Sequence, residues 1–205
     1  MVHRAQRLPG SVSSTHERKP REARLVSNPD EPIENEFLIG GNERRAIVLM
    51  DYDPNWPVRF QDERAKLTTA LGTEAIGIEH IGSTAVPGLA AKPIIDVLVT
   101  VADIEDEPRY LPAVQRAGYV LRVREPGHRM VRTPGLDVHV HIWPDGDPAV
   151  TAYLAFRNRL RSSIADRDLY AATKRRLAQQ DWPTMDHYAD AKSDVILQIL
   201  SRTNS

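Results

Sequence analysis

The sequence predicts an α/β (α+β) fold: a small mixed β-sheet with flanking helices and a C-terminal helical cap. Three observations carry that reading. Strand-like and helix-like signals alternate once the chain passes Arg45. Residues 94–101 form a nearly unbroken apolar run, of the kind buried on both faces of a sheet. The last third keeps helical spacing throughout.

Residues 1–45 are expected to form a largely disordered N-terminal tail, and residues 46–205 the domain. Up to about residue 35 the chain is crowded with Arg, Ser, Pro, Glu and His and holds no sustained apolar periodicity. Burial there cannot offset chain entropy. The basic run Arg18, Lys19, Arg21 and Arg24 reads as solvated tail. Only Phe37-Leu38-Ile39, ahead of Gly40-Gly41, is expected to tuck back onto the domain.

Residues 46–50 read as a short strand. Asp51-Tyr52-Asp53-Pro54-Asn55-Trp56 then leads into a helix whose first turn suits Pro57, whose inner face carries Phe60, Leu67 and Leu71, and which Gly72 closes. A strand over residues 75–81 runs into Gly82-Ser83, and Pro93 opens the buried strand. A helix lies between Pro108 and Ala117, its start obscured by Pro112. Strands are expected over 119–123, 128–133 and 136–143, turned by Pro126-Gly127 and Pro134-Gly135. Asp147-Pro148 starts a helix carrying Val150, Tyr153, Leu154 and Leu160, and helix continues over 168–179. Trp182-Pro183 interrupts it, and Thr184 caps a last helix with Tyr188, Val195, Ile199 and Leu200 inward.

Composition narrows the function classes. Apolar residues at 41% and charged residues at 27% permit a real core in a chain of 205 residues. A formal net charge of −1 supplies no field toward nucleic acid or an anionic membrane, which argues against both as partners. The absence of Cys excludes disulfides, thiolate metal sites and a Cys nucleophile. No apolar run approaches the roughly 20 residues needed to span a bilayer, and the basic N-terminus has no hydrophobic segment behind it. The expected compartment is the cytoplasm.

One stretch carries chemistry: a strand ends in Gly82-Ser83-Thr84, a loop of small residues follows, and the next strand holds Asp96 in its apolar middle. Gly82 permits close approach to the backbone, and Ser83 and Thr84 offer hydroxyl and N–H groups to phosphate oxygens. An ionised Asp96 in such a run needs a partner, for which a metal ion and Lys92 are the candidates. On the strand over 136–143, Asp137, His139 and His141 alternate and are expected on one face. Imidazoles there favour a transition metal or proton transfer over Mg²⁺. Lys174, and Arg129 or Arg132, are further candidate phosphate ligands. Structural readings stand beside these: Gly82-Ser83 as a tight turn, Asp96 paired with Lys92 or a backbone N–H, the histidines satisfied by neighbours, and the cations solvated.

The run Ile-Glu-His-Ile-Gly-Ser-Thr-Ala-Val-Pro-Gly-Leu-Ala-Ala-Lys-Pro-Ile-Ile-Asp, ending at Asp96, resembles the signature of the GrpB family. The likeness extends from about Val48 to Leu200 and includes the Asp51–Trp56 segment. This resemblance implies a nucleotidyltransferase-superfamily core and a nucleotide or coenzyme-like small-molecule ligand, since a similar domain is fused to dephospho-CoA kinase in some bacteria. It implies a divalent metal, Mg²⁺ or a transition ion, held by Asp96 with Asp137, His139 or His141. Active nucleotidyltransferases carry Asp-x-Asp or Asp-x-Glu after Gly-Ser and a third acid on a neighbouring strand, together holding two Mg²⁺ ions. Here Asp96 fits the first position but Leu98 takes the second.

Two functional readings follow. In one the protein is a nucleotidyltransferase-like enzyme. Asp96 holds the metal, Ser83, Thr84, Lys92 and Lys174 bind phosphate, and Asp137 or His139 completes the shell or acts as base. In the other it is a catalytically degenerate nucleotide-binding or partner-supporting module, which Leu98 favours.

Overall fold

Pro57 sits in the first turn of α1 (Trp56–Leu71), where a missing N–H costs nothing, and Gly72 closes the helix at φ 54°. The structure, a computed structural model, describes residues 37–202. After a 3₁₀ turn (Gly72–Glu74) come β1 (Gly77–Ile81), a second 3₁₀ turn (Ser83–Ala85), β2 (Ile95–Val101), α2 (Glu107–Arg116), β3 (Val120–Glu125), β4 (His128–Arg132) and β5 (Val138–Pro144). Four helices finish the chain: α3 (Pro148–Ser162), α4 (Ile164–Ala178), α5 (Met185–Asp190) and α6 (Ser193–Ser201). Three of them are capped by side chains that accept a backbone N–H: Asp147 for α3, Ser163 for α4 and Thr184 for α5.

The five strands form one mixed sheet in the order β1-β2-β5-β4-β3. Only β2 and β5 are parallel, and their register sets Asp96 opposite His139 and Leu98 opposite His141. Strand alternation divides the residues between two faces. Ile95, Val97, Val99 and Val101, with Val138, Val140 and Ile142, pack against α1 and α2 as the main core. On the opposite face Leu98, Ile81 and Trp143 pack against Val150, Tyr153 and Leu154 of α3. A third apolar group joins Leu160, Tyr170, Ala171, Val195 and Ile199 of the cap to Val86 and Leu89. The helical cap therefore rests on the loop between β1 and β2, beside the end of the sheet where Asp96 lies.

The expected mixed sheet with flanking helices and a C-terminal helical cap is observed, with three local differences. Residues 46–50 form no strand. Only an isolated bridge joins Met50 to Ala91, and Val48 stays 64% exposed, so no second strand shields the run. The last helix is split into α5 and α6 around Ala191 and Lys192. The boundary expected at residue 45 falls inside a segment that packs on the sheet. Leu38 bridges Val123, the buried Arg122 guanidinium donates to the carbonyls of Ile39 and Gly41, and Glu43 pairs with Arg132 at 2.5 Å. The buried cation needs those acceptors, so the domain reaches back at least to Phe37. Residues 1–36, expected as tail, lie outside the described residues. Among the described residues no helix is long and apolar enough to cross a membrane.

Candidate functional site

Asp96, second residue of β2, projects on the face opposite the main core, and the parallel register brings His139 and His141 of β5 beside it. One ligand atom from each of the three lies within 4.8 Å of the others. His139 Nδ1 is 3.6 Å from Asp96 Oδ1, and the two side chains are 24% and 28% exposed, so the cluster can be reached from solvent. Burial acts to raise the Asp96 carboxyl, but His139, then His141 and Lys92, outweigh it and hold the group below the usual carboxylate range.

Asp137 does not join this cluster, contrary to the strand-face expectation. Leu136 at φ 63° turns the chain just before β5 begins, so the alternation has not yet started. The Asp137 carboxylate instead pairs with Arg59 of α1 at 2.9 Å and accepts from Thr133 Oγ1 at 2.7 Å.

Gly82 adopts φ 71°, ψ −173°, a conformation close to glycine-only, and a Cβ there would fall on Asp96 Oδ2. The glycine is thus needed first to let the carboxylate lie against the loop. Ser83 is half-buried and accepts from Lys174 Nζ at 3.0 Å. Thr84 is placed differently from expectation: its hydroxyl is buried, donating to Ile94 O at 3.0 Å and meeting His80 Nε2 at 3.1 Å.

Three lysines from three parts of the chain converge here. Lys174 of α4 is 3% exposed and also donates to Ala90 O at 2.5 Å. Lys92 and Lys192 lie 5.2 Å and 4.6 Å from the centre of the same Tyr188 ring. Burial, then the charges of Lys192, Arg175 and Lys92, push Lys174 down to about 7. Burial and Lys92 push Lys192 down to about 8, against Asp96 and Asp190. Burial lowers Lys92 as well, opposed by Asp96. Their positive charges depress one another, offset in part by Asp96 and, at Lys192, by Asp190. Arg129 and Arg132, by contrast, are spent on Glu105, Glu107 and Glu43.

Sequence reasoning missed Lys192, Glu125 and His128. The signal for His128 was present: Pro126-Gly127 makes β3 and β4 a hairpin, and the pairing of Met130 with His141 puts His128 diagonally beside His141. No local signal marks Lys192, which depends on how α5 and α6 dock. Elsewhere, a depression of about 510 Å³ between α1 and α2 is lined by Lys66, Thr69, Ala113 and Arg116 among others and brings no acid or histidine together.

The family model described as GrpB protein matches residues 46–202. The chain belongs to the GrpB family. It is 55% identical over 168 residues to the UPF0157 protein SCO7215 of Streptomyces coelicolor, covering 82% of this chain and 90% of that one. The crystal structure of the conserved protein GrpB from Enterococcus faecalis superposes with a TM-score of 0.68 at 35% identity, covering 76% of this chain and 96% of that one. A dephospho-CoA kinase of Mycolicibacterium paratuberculosis is 30% identical over 178 residues, which span 73% of this chain but 44% of the kinase. In this GrpB protein the signature residues surround one small region, where the Gly82–Thr84 loop, the start of β2, β5 and the helical cap meet.

Proposed function

We propose that this GrpB-family protein binds a nucleotide or related phosphorylated, coenzyme-like ligand together with one divalent metal ion, and that nucleotidyl transfer is the reaction the pocket serves. The observation that carries the reading is the meeting of Asp96, His139 and His141 with the clustered Lys92, Lys174 and Lys192 beside Ser83. Two imidazoles and one carboxylate suit a borderline transition ion better than Mg²⁺, which prefers oxygen ligands. Asp96, His139 and His141 would hold the ion, and its chemistry there would be Lewis-acid polarisation of a phosphoryl oxygen. The chain's own groups bind and orient. The lysines neutralise phosphate charge, and Ser83 Oγ offers a hydrogen bond beside them. The buried Lys174 hydrogen bonds keep that ammonium fixed before the ligand arrives.

One observation favours a second reading, binding without turnover. Leu98 is 1% exposed and packed with Ile81 and Trp143, where active relatives in the wider superfamily bring their second acid. A second ion has no carboxylate there.

A thermal-shift screen of ATP, dephospho-coenzyme A, Zn²⁺, Mn²⁺ and Mg²⁺, alone and paired, tests both. A ligand at 100 times its Kd adds about 2.7 kcal/mol of stability, a readily visible shift. The expected result is stabilisation by a phosphorylated ligand with a transition ion, lost in Asp96→Ala. Pyrophosphate release from ATP supports transfer, and binding without release supports the second reading. Equal responses of wild type and Asp96→Ala to every pair would sink both.

A further inference from the structure

We infer that Glu125 and His128 are positioning residues that fix the tautomer of His141, so that His141 presents Nε2 as the lone-pair donor to a divalent transition-metal ion at the Asp96–His139–His141 cluster. The inference rests on the metal reading above and goes beyond it by saying what selects the coordinating atom.

The residues form a chain. At the β3–β4 turn, Glu125 Oε1 lies 2.6 Å from His128 Nδ1, and His128 Nε2 lies 3.2 Å from His141 Nδ1. His128 is 1% exposed and clamped by stacking, 4.3 Å from the Trp143 ring and 5.4 Å from the His141 ring, nearly parallel to both. The Tyr153 ring of α3 lies 6.0 Å from that of His141. Neither imidazole can swing away from the other without breaking these stacks.

The protonation pattern follows from what each group can do. A carboxylate only accepts, so His128 Nδ1 carries the hydrogen toward Glu125. A neutral His128 then has its lone pair on Nε2 and must accept from His141 Nδ1–H. A neutral His141 with its hydrogen on Nδ1 keeps its lone pair on Nε2, the nitrogen directed away from His128. Were His128 to donate at Nε2, His141 Nδ1 would have to accept and Nε2 would carry the hydrogen, which bars coordination there. Glu125, two bonds removed from the cluster, therefore decides whether His141 is a ligand. Metal-binding histidines are ordinarily oriented by such an outer partner, whose loss costs typically about 10–100-fold in metal affinity.

Zn²⁺ affinity, measured on the full chain by competition with a chromophoric chelator, is the test, together with the visible absorption of the Co²⁺-loaded protein. His128→Phe keeps a stacked ring but removes the hydrogen bond, and is expected to raise the Zn²⁺ Kd about 10–100-fold and alter the Co²⁺ spectrum. His128→Gln, whose amide oxygen can accept from His141 Nδ1–H, should recover most of the affinity. Glu125→Leu removes the acceptor that holds the hydrogen on His128 Nδ1, so it should weaken binding like the Phe variant. Because the Glu125 side chain is only 18% exposed and at the hairpin end, that variant keeps the question answerable if His128→Phe does not fold. Wild-type affinity in Glu125→Leu, or in a folded His128→Phe, overturns the positioning role while leaving the metal site standing. Absence of Zn²⁺ binding by wild type above the Asp96→Ala background overturns both.

Discussion

Gly82 shows how little space separates signature residues in this protein. Its backbone lies where L side chains are strained, and an added methyl would occupy the place of Asp96 Oδ2. Gly82→Ala is expected to cost about 1–3 kcal/mol in stability and to weaken Zn²⁺ binding at least about tenfold by displacing the carboxylate. Urea unfolding and chelator competition measure the two effects separately, and unchanged metal affinity would show that Asp96 is not a ligand. Lys174 offers the opposite balance. Its pKa, pushed down to about 7 by burial, means the unfolded chain holds an extra proton between about pH 7 and the usual lysine value of 10.5. Stability contributed by this residue therefore rises as pH increases through that window, and below it the burial penalty is fully present. Lys174→Met should raise Tm near pH 6 while weakening ATP binding at least about tenfold. A lower Tm at that pH would mean that the bonds to Ser83 and Ala90 outweigh the buried charge.

At the scale of elements, β1 is tied to α1 and to the following loop through one buried histidine. His80 stacks on Phe60 at 4.6 Å and meets Thr84 Oγ1 at 3.1 Å. Burial pushes it down to about 4, opposed by Asp96 and helped by Arg161 and Arg157. Between about pH 6.5 and 4 the unfolded chain takes a proton that the folded protein refuses, so stability is lost on acidification through that window. The loss is up to roughly 3 kcal/mol. Urea midpoints at about pH 7 and about pH 4.5 should differ more for wild type than for His80→Gln, which does not titrate. Equal differences would assign acid sensitivity elsewhere. Elements are also where sequence reasoning was most legible. Proline, glycine and Asp/Ser/Thr positions act on their own backbone, so Pro57, Gly72, Asp147 and Thr184 mark helix ends that the structure also has. Pro112 lies within α2, where packing of Tyr110, Leu111 and Val114 overrides its local preference.

For the molecule as a whole, residues 37–45 act as a strap across β3 and β4. Arg122, 5% exposed, finds its acceptors in the strap, and Glu43 adds an ion pair with Arg132. Removing residues 1–45 should cost about 1–3 kcal/mol more than removing 1–36, or roughly 2–10 °C in Tm, because it leaves the Arg122 guanidinium without its partners. Identical melting of the two truncations would show that the strap adds nothing. Glu43 gives a second readout. Its hydrogen bond to Arg132, against some burial, holds its pKa down to about 2, so its contribution is present above the ordinary glutamate range and lost as pH falls toward 2.

The sequence by itself determined what acts within an element: the α/β class, the buried strand bearing Asp96, the strand carrying His139 and His141, and the glycine that the loop requires. Alternation and turn chemistry are local, so they can be read from one strand at a time. Only tertiary structure decided which faces meet. The parallel pairing of β2 with β5 sets Asp96 opposite His139, and the docking of the helical cap carries Lys174 and Lys192 to Lys92. The turn at Leu136 sends Asp137 to Arg59, and packing turns the Thr84 hydroxyl inward. The strand pairing, the cap docking and the Asp137–Arg59 pair join residues far apart in the chain, whereas the Thr84 bond to Ile94 spans 10 positions. A periodic pattern orients a side chain about its own element and carries no information on the partner that element finds.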